Sequence, residues 1–238
     1  MTEHTITSYD DELKVLDGKI AQMGGLAEQL LARAIDSLEK RDPDLAAQTI
    51  NQDKAIDLLD HEIEELAIQI IARRQPVALD LRQILAAIRI SADLERIGDL
   101  GKNIAKRAMA IAGENRPQQL MIGIGHIGSK AMEQLQIVLD AYSQRDAEKA
   151  MHVWARDRDL DAIYNSVFRE LLTYMMEDPR NIGVCTHLLF GAKNLERIGD
   201  HATNMAESIH FLVKGVPIAD DRPKEDTTSF LTPEKMIE

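Results

Sequence analysis

The sequence predicts an all-α protein built as two tandem, pseudosymmetric three-helix bundles. Apolar residues recur at helical spacing with no competing strand alternation, proline and capping signals divide the chain into six long segments, and the second half repeats the first.

The first segment, 9–40, stops at Arg41, where Asp42 and Pro43 supply an N-cap and a proline suited to the first helical position. The second, 43–74, carries Leu45, Ile56, Leu59, Ile63, Leu66 and Ile70 as one stripe and ends before Pro76. In the third, 78–112, the stripe is Ile90, Leu94, Ile97, Ile104 and Ile111. Pro117 opens the fourth segment, 117–143, and Arg145-Asp146 introduces the fifth, 146–177. Pro179 precedes the sixth, 182–213. Residues 215–238 hold Pro217, Pro223 and Pro233 among many charges, which predicts a flexible C-terminal tail. The expected organisation is therefore one bundle over 1–114, a second over 115–214, and the tail.

Self-similarity supports the duplication. At an offset of 104, Ile20, Gly24, Ala27, Leu31, Asp36, Arg41, Asp42, Ala46, Asp53 and Asp57 recur as Ile124, Gly128, Ala131, Leu135, Asp140, Arg145, Asp146, Ala150, Asp157 and Asp161. Beyond the loops at Pro76 and Pro179 the offset is 101, and Leu94-Glu95-Arg96-Ile97-Gly98-Asp99 recurs unchanged as Leu195-Glu196-Arg197-Ile198-Gly199-Asp200. Short connections between long helices make neighbours antiparallel.

Composition bounds the function. A chain of 238 residues that is 45% hydrophobic and 29% charged belongs with soluble globular proteins. Its 28 basic and 40 acidic residues give a net charge of −12, which argues against a nucleic-acid partner. Mostly apolar stretches such as 67–72 are far too short to cross a bilayer, so no direct membrane insertion is expected. The acidic, polar opening 2–12 does not read as a signal peptide, and a cytoplasmic location follows as an expectation. Cys185 is the single cysteine, which precludes an internal disulfide and a thiolate metal cluster.

The residues that stand out are acidic. Asp53 with Asp57, Glu95 with Asp99, Asp157 with Asp161, and Glu196 with Asp200 are all i, i+4 pairs, which places both carboxylates of each pair on one helix face. If the second and third helices fold back at residue 76, Asp57 and Glu95 stand level, as do Asp53 and Asp99. The second quartet is likewise centred on residues 178 and 179. Four gathered carboxylates repel one another, and an all-oxygen set suits a hard cation: Mg, Mn, Ca or Fe. Asn103 and Asn204 offer neutral oxygens one turn on. On a helical wheel Glu95 and Asp99 lie opposite the stripe of Ile90, Ile97, Ile104 and Ile111, so the sites are expected as accessible surface patches. The plainer reading is a solvated acidic face, with Asp99, Lys102, Arg96 and Lys106 in ordinary surface ion pairs.

Other features carry less. Gly98 and Gly199 sit mid-helix, where glycine costs about 1 kcal/mol relative to alanine and points to close packing or access. Glu207 and His210 make a single Glu-x-x-His spacing with no counterpart in the first repeat. His61, His152, His187 and His201 show no ligand spacing. The glycine-rich run 122–128 imitates a dinucleotide loop but lies inside a helical pattern with no strand before it.

With the doubled Leu-Glu-Arg-Ile-Gly-Asp motif and its paired acidic partners, the chain resembles the PhoU family over residues 8–213. That family's signature is a pair of acidic E(D)-x-x-x-D motifs per three-helix repeat. The resemblance implies two symmetric three-helix bundles, surface metal clusters in some members, and no enzymatic activity. It further implies a cytoplasmic homodimer that links the ATPase subunit of the phosphate ABC transporter to a sensor histidine kinase and represses the phosphate-starvation response. Asn194, where the first repeat has Asp93, leaves the two halves unequal in charge. The alternative is a ferritin-like di-metal redox or storage protein, which needs inward carboxylates and paired Glu-x-x-His motifs in one four-helix core.

Overall fold

The structure, a computed structural model, describes residues 2–114, 118–220, 222 and 224, with no account of the side chains of 2–8, 118 and 119. Among these described residues, seven α-helices follow in order: α1 (Thr2–Lys40), α2 (Pro43–Arg74), α3 (Ala78–Ala110), α4 (Gln118–Gln144), α5 (Ala147–Ala155), α6 (Asp157–Glu177) and α7 (Ile182–Lys214). A 3₁₀ turn, Pro179–Asn181, leads into α7. Among the described residues there is no strand. The break expected at Pro117 and the tail from 225 onward lie outside the described residues.

Local chemistry builds the same corner twice. The α1–α2 corner holds Arg41 at φ 59°, and the α4–α5 corner holds its counterpart Arg145 at φ 55°. In each, the next amide reaches back five residues, Asp42 N–H to Ser37 O at 3.1 Å and Asp146 N–H to Ala141 O at 3.0 Å, which closes the orphan carbonyls of the ending helix. The aspartate then caps the following helix. Asp42 Oδ1 accepts from the Leu45 amide at 2.9 Å, and Asp146 Oδ1 from those of Glu148 and Lys149.

The expected fifth helix, 146–177, is broken. Arg156 leaves helical geometry (φ −97°, ψ 6°) and divides it into α5 and α6, whereas α2 runs through the matching position, Gln52, without interruption. Tertiary contacts hold the break: Gln134 Nε2 donates at 3.2 Å to the Arg156 carbonyl, which also accepts the Asp159 amide at 3.1 Å. The buried Trp154 anchors α5 by donating from Nε1 to Glu207 Oε1 at 3.1 Å. The break places Asp157 in the first turn of α6, where a carboxylate is favoured by the helix dipole.

Each repeat packs as an antiparallel three-helix bundle, and equivalent helices of the two repeats face one another, α1 against α4 and α3 against α7. Fully buried Leu16, Ile20, Leu31, Ile56, Ile90 and Leu94 build the first core, and Ile124, Leu135, Leu171, Leu188, Leu195 and Ile198 the second. The two merge into one apolar cluster across the α3–α7 contact.

The seam between repeats is reciprocal. A Cβ on Gly24 would lie 2.6 Å from Leu139 Cδ2, and one on Gly128 would lie 3.2 Å from Ile35 Cδ1. Gly128 is the repeat counterpart of Gly24, and Leu139 that of Ile35. The contact is therefore made twice, as across a two-fold axis. A polar network fixes the same seam: Asp17 accepts from Tyr142 Oη at 2.7 Å, Arg145 Nη2 at 2.6 Å and Gln83 Nε2 at 3.0 Å.

These contacts set an expectation for packing variants. Gly24→Val and Gly128→Val each push α1 and α4 apart and lower unfolding stability by about 1–3 kcal/mol. Gly24→Ala stays within about 1 kcal/mol of wild type, because a Leu139 methyl can swing aside and alanine favours the helix. Urea denaturation reads both, and an unchanged midpoint for the valine variants would mean that the helices do not meet there.

Candidate functional site

The α2–α3 hairpin turns through Gln75, in the left-handed region at φ 51°. This brings Asp53 and Asp57 of α2 beside Glu95 and Asp99 of α3. Asp53 lies in the fields of Asp57 and Asp99, and Glu95 in those of Asp99, Asp57 and Asp60. The register read from the hairpin therefore gathers the first quartet.

The gathering depends on Gly98, where a Cβ would stand 3.0 Å from Ile56 Cδ1 and 3.1 Å from Asp53 Oδ1. The second repeat reproduces the approach. A Cβ on Gly199 would collide with Leu160 Cδ2 and stand 2.8 Å from Gln134 Oε1, and Leu160 is the counterpart of Ile56.

The carboxylates are not the surface patches expected. Asp53 and Asp157 are 2% exposed, Asp161 and Glu196 3%, and only Asp57, Glu95, Asp99 and Asp200 remain partly open. The buried four lie on α2, α6 and α7, where each hairpin packs on itself, α2 against α3 and α6 against α7. Small buried residues of α3, Ala87, Ser91, Gly98 and Ala105, form a flank away from the isoleucine stripe, and Asp53 of α2 is covered where it meets Gly98.

Each quartet holds a cation of the protein's own. In the first, Lys102 Nζ bonds both Asp53 Oδ2 and Asp99 Oδ1, the latter at 2.5 Å. Arg96, 61% exposed, approaches Glu95 at 3.3 Å and Asp99 at 3.7 Å, where solvent leaves it little effect. Burial alone would lower the Lys102 pKa, but its two carboxylate bonds outweigh that and raise it. Burial pushes the Asp53 carboxyl up, and Lys102 offsets this only in part. Glu95 is likewise raised, chiefly by burial, with Arg96 lowering it in part and Asp99, Asp57 and Asp60 adding to the rise. Asp53 Oδ1 is buried with no hydrogen-bond partner.

The second quartet is neutralised differently. The position of Lys102 is occupied by Thr203, whose Oγ1 donates to Asp157 Oδ1 at 3.0 Å. The positive charge comes from beyond α7. Arg222 grips Asp157 with Nε on Oδ2 at 2.8 Å and Nη2 on Oδ1 at 2.9 Å. It also reaches Asp200 Oδ1 at 2.6 Å, the Asp200 carbonyl at 3.4 Å and Asn204 Oδ1 at 3.2 Å. Lys224 adds a contact to Asp200 at 3.1 Å. Asp161 and Glu196 lie one turn along, where Lys193 pairs with Glu196 at 2.9 Å and stands over the Tyr164 ring. Among the described residues, no three His, Cys, Asp or Glu side chains stand ready as a metal cage.

Sequence reasoning missed Lys102 as the bridge, Arg222 altogether, and the pairing of Asp93 on α3 with His201 Nδ1 on α7 at 2.9 Å. Asn204 serves as an acceptor for Arg222 rather than one turn of a separate oxygen set. The stray Glu-x-x-His does not assemble, since Glu207 takes the Trp154 indole and His210 Nδ1 faces the Val216 carbonyl at 3.2 Å. Cys185 is buried, and burial pushes its thiol up, away from reactivity.

Removing the Lys102 charge should expose the repulsion it offsets. Lys102→Met is expected to destabilise the protein by about 1–3 kcal/mol at pH 7, the cost of leaving a buried charged group unpaired. Asp53 and Glu95 bind protons more tightly folded than unfolded, so their ionisation opposes folding above the raised folded-state values and is relieved as pH falls through them. The deficit should therefore shrink between pH 7 and pH 5 in urea titrations. A deficit that grows on acidification would contradict this electrostatic account.

Comparison with known proteins agrees with this architecture. The PhoU domain model matches residues 20–108 and again 124–209, one match per bundle. The chain is 54% identical over 228 residues to a phosphate-specific transport system accessory protein PhoU homolog from Rhizobium meliloti, covering 96% of each chain. It is 49% identical to the homolog of that name from Caulobacter vibrioides, over 96% of this chain and 100% of that one. The crystal structure of PhoU from Pseudomonas aeruginosa superposes with a TM-score of 0.85 at 38% identity, covering 87% of this chain and 100% of that chain. The phosphate transport system regulatory protein PhoU from Streptococcus pneumoniae gives 0.82 at 26% identity, over 88% and 99%. Two tandem domain matches and near-complete coverage by relatives together place this chain in the PhoU family, whose members are accessory proteins rather than enzymes.

Proposed function

We propose that this protein regulates phosphate uptake and represses the phosphate-starvation regulon. It acts from the cytoplasmic side as a homodimer, linking the ATPase subunit of the phosphate ABC transporter to the sensor histidine kinase. The observation that carries the reading is the match of both repeats, over nearly the whole chain, to accessory proteins of phosphate-specific transport. The architecture supports it. No helix among the described residues is long and apolar enough to cross a membrane, so contact with membrane-embedded partners has to run through protein faces. Two similar but unequal rigid bundles suit simultaneous engagement of two partners.

The acidic quartets belong to the proposal as cation sites. Asp53, Asp57, Glu95 and Asp99 would hold one ion, and Asp157, Asp161, Glu196 and Asp200 another. The buried, unpartnered Asp53 Oδ1 and the all-oxygen donor set fit a hard divalent ion, Mg, Mn, Ca or Fe. Each quartet also already accommodates a positive charge on Lys102 or Arg222. A bound ion would supply charge neutralisation and would change how each hairpin face meets a partner.

Deletion of the gene in phosphate-replete culture is expected to raise a starvation-induced alkaline phosphatase reporter, and re-expression to silence it. A reporter that stays low on deletion would overturn the regulatory reading. Complementation by Glu95→Gln/Asp99→Asn to full repression would leave the regulator standing and remove the first cation site from its mechanism.

A further inference from the structure

Charge is spread unevenly over this protein. The chain carries 40 acids against 28 bases, yet the stretches 100–112 and 182–195, which meet at one end of the α3–α7 contact, hold no acid at all. There the Arg107 guanidinium stands over the Phe190 ring at 4.8 Å, and that ring is 50% exposed. Lys106 is exposed beside it, and so is Arg197, which lies seven residues on from Phe190 and so on the same side of α7. None of these three cations makes an ion pair among the described residues. The acids at the end of α1 are engaged elsewhere, since Asp36 holds Lys40 at 2.6 Å and Glu39 lies against Gly125. The outer side of α2 has the opposite character. Leu58 and Ile68, 59% and 57% exposed, share one helix face with His61 and Glu65 at i, i+3, i+7 and i+10. Glu64 and Glu65 are exposed and make no ion pair among the described residues, whereas Glu62 is held by Lys19 at 2.6 Å. Asp57 and Asp60 of the same helix act on Glu95, so this acidic stripe borders the face that α3 presents.

We propose that these two surfaces bind each other between two copies of the chain: α2 of one protomer lies across the Lys106, Arg107 and Phe190 end of its partner's α3–α7 pair, and a two-fold axis repeats the contact with the roles exchanged. This deepens the homodimer of the proposed function and rests on it. Charge matches, because Glu64 and Glu65 meet cations that have no carboxylate of their own. Shape matches too: Leu58 and Ile68 are large apolar side chains with water to leave, and an arginine stacked on a half-exposed aromatic is the composition of an interface anchor. The spacing suits a closed pair. By the register of the α2–α3 hairpin Arg107 stands level with Leu45 and Glu64 with Ile88, so patch and stripe lie 107 − 88 = 19 residues of helix apart, about 28 Å along the bundle. A two-fold perpendicular to the helices, midway between them, sets each surface over its complement on the partner and leaves neither open to a third copy. The net charge of −12 on each protomer opposes approach only weakly, because charges more than about 8 Å apart are largely screened at physiological ionic strength, and the local pairs decide.

Sedimentation equilibrium of the full chain at micromolar concentration tests this, with circular dichroism to check that each variant is folded. Wild type is expected to be a dimer that loosens in high salt. Lys106→Glu/Arg107→Glu and, separately, Glu64→Lys/Glu65→Lys should each weaken the dimer roughly thirtyfold or more, the loss of an interface anchor. Leu58→Gln, at a position open to water in the single chain, spares the fold and should weaken it roughly tenfold. Mixing the two charge-reversed variants should restore a dimer of one copy of each, because both contacts are then complementary again. Two monomeric variants that fail to pair on mixing would overturn the matching of these surfaces. A dimer that survives both reversals would overturn this interface and leave the homodimer standing, and loss of reporter repression in Lys106→Glu/Arg107→Glu with the dimer intact would assign the patch to a different acidic partner. A wild-type chain that is monomeric at micromolar concentration would overturn the homodimer itself.

Discussion

Carboxylates drawn into the packed flank of a helix hairpin repel one another and lose water, so a positive charge between them is a condition of the fold. That condition explains features that otherwise look unrelated. Gly98 and Gly199 admit the close approach that brings the acids together. Lys102 spans Asp53 and Asp99, and where Thr203 replaces it, Arg222 returns from beyond the last helix to serve Asp157 and Asp200. Burying a paired charge is tolerable while leaving one unpaired is expensive, so acid and base are constrained together in each half.

The helices were legible because their signals are local. Asp42-Pro43 and Arg145-Asp146 announce corners whose hydrogen bonds close within five residues, and the isoleucine stripes repeat at the helical period. The register of the acidic pairs was legible too, since an antiparallel hairpin needs only its turn to be located. What could not be read was settled by other parts of the chain. The kink at Arg156 has no glycine or proline to mark it, and is held by Gln134 from α4 and by the anchoring of Trp154 on α7. Burial of Asp53, Asp157, Asp161 and Glu196 was hidden because the helical wheel of α3 speaks for Glu95 and Asp99, which do stay partly open, and not for the acids on the helices that pack against them. Arg222 sits 65 residues from Asp157, in a proline-rich stretch whose composition reads as solvated.

Family membership and physical reading meet at the duplicated hairpin. Relatives share the tandem architecture, and the hairpins carry the same acidic pairs in both halves of this chain. The halves are nonetheless unlike in the features that would tune them: an unbroken helix against a kinked one, and a resident lysine against a visiting arginine. Asp93 of the first half meets His201 and Asn204 of the second across the α3–α7 contact, while its own counterpart is the neutral Asn194.

The reciprocal contact of Gly24 with Leu139 and of Gly128 with Ile35 has a further meaning. An isologous seam is how two separate copies of one protein recognise each other, and such recognition ordinarily fails on dilution. Joining the copies in one polypeptide removes that dependence, since the partner is always present and the translational entropy of association no longer has to be met. It also lifts a constraint on heredity: in a homodimer every mutation appears twice, whereas here a change in one half is made once. A symmetric ancestor could not have kept a lysine on one side and a threonine on the other, but a fused one can.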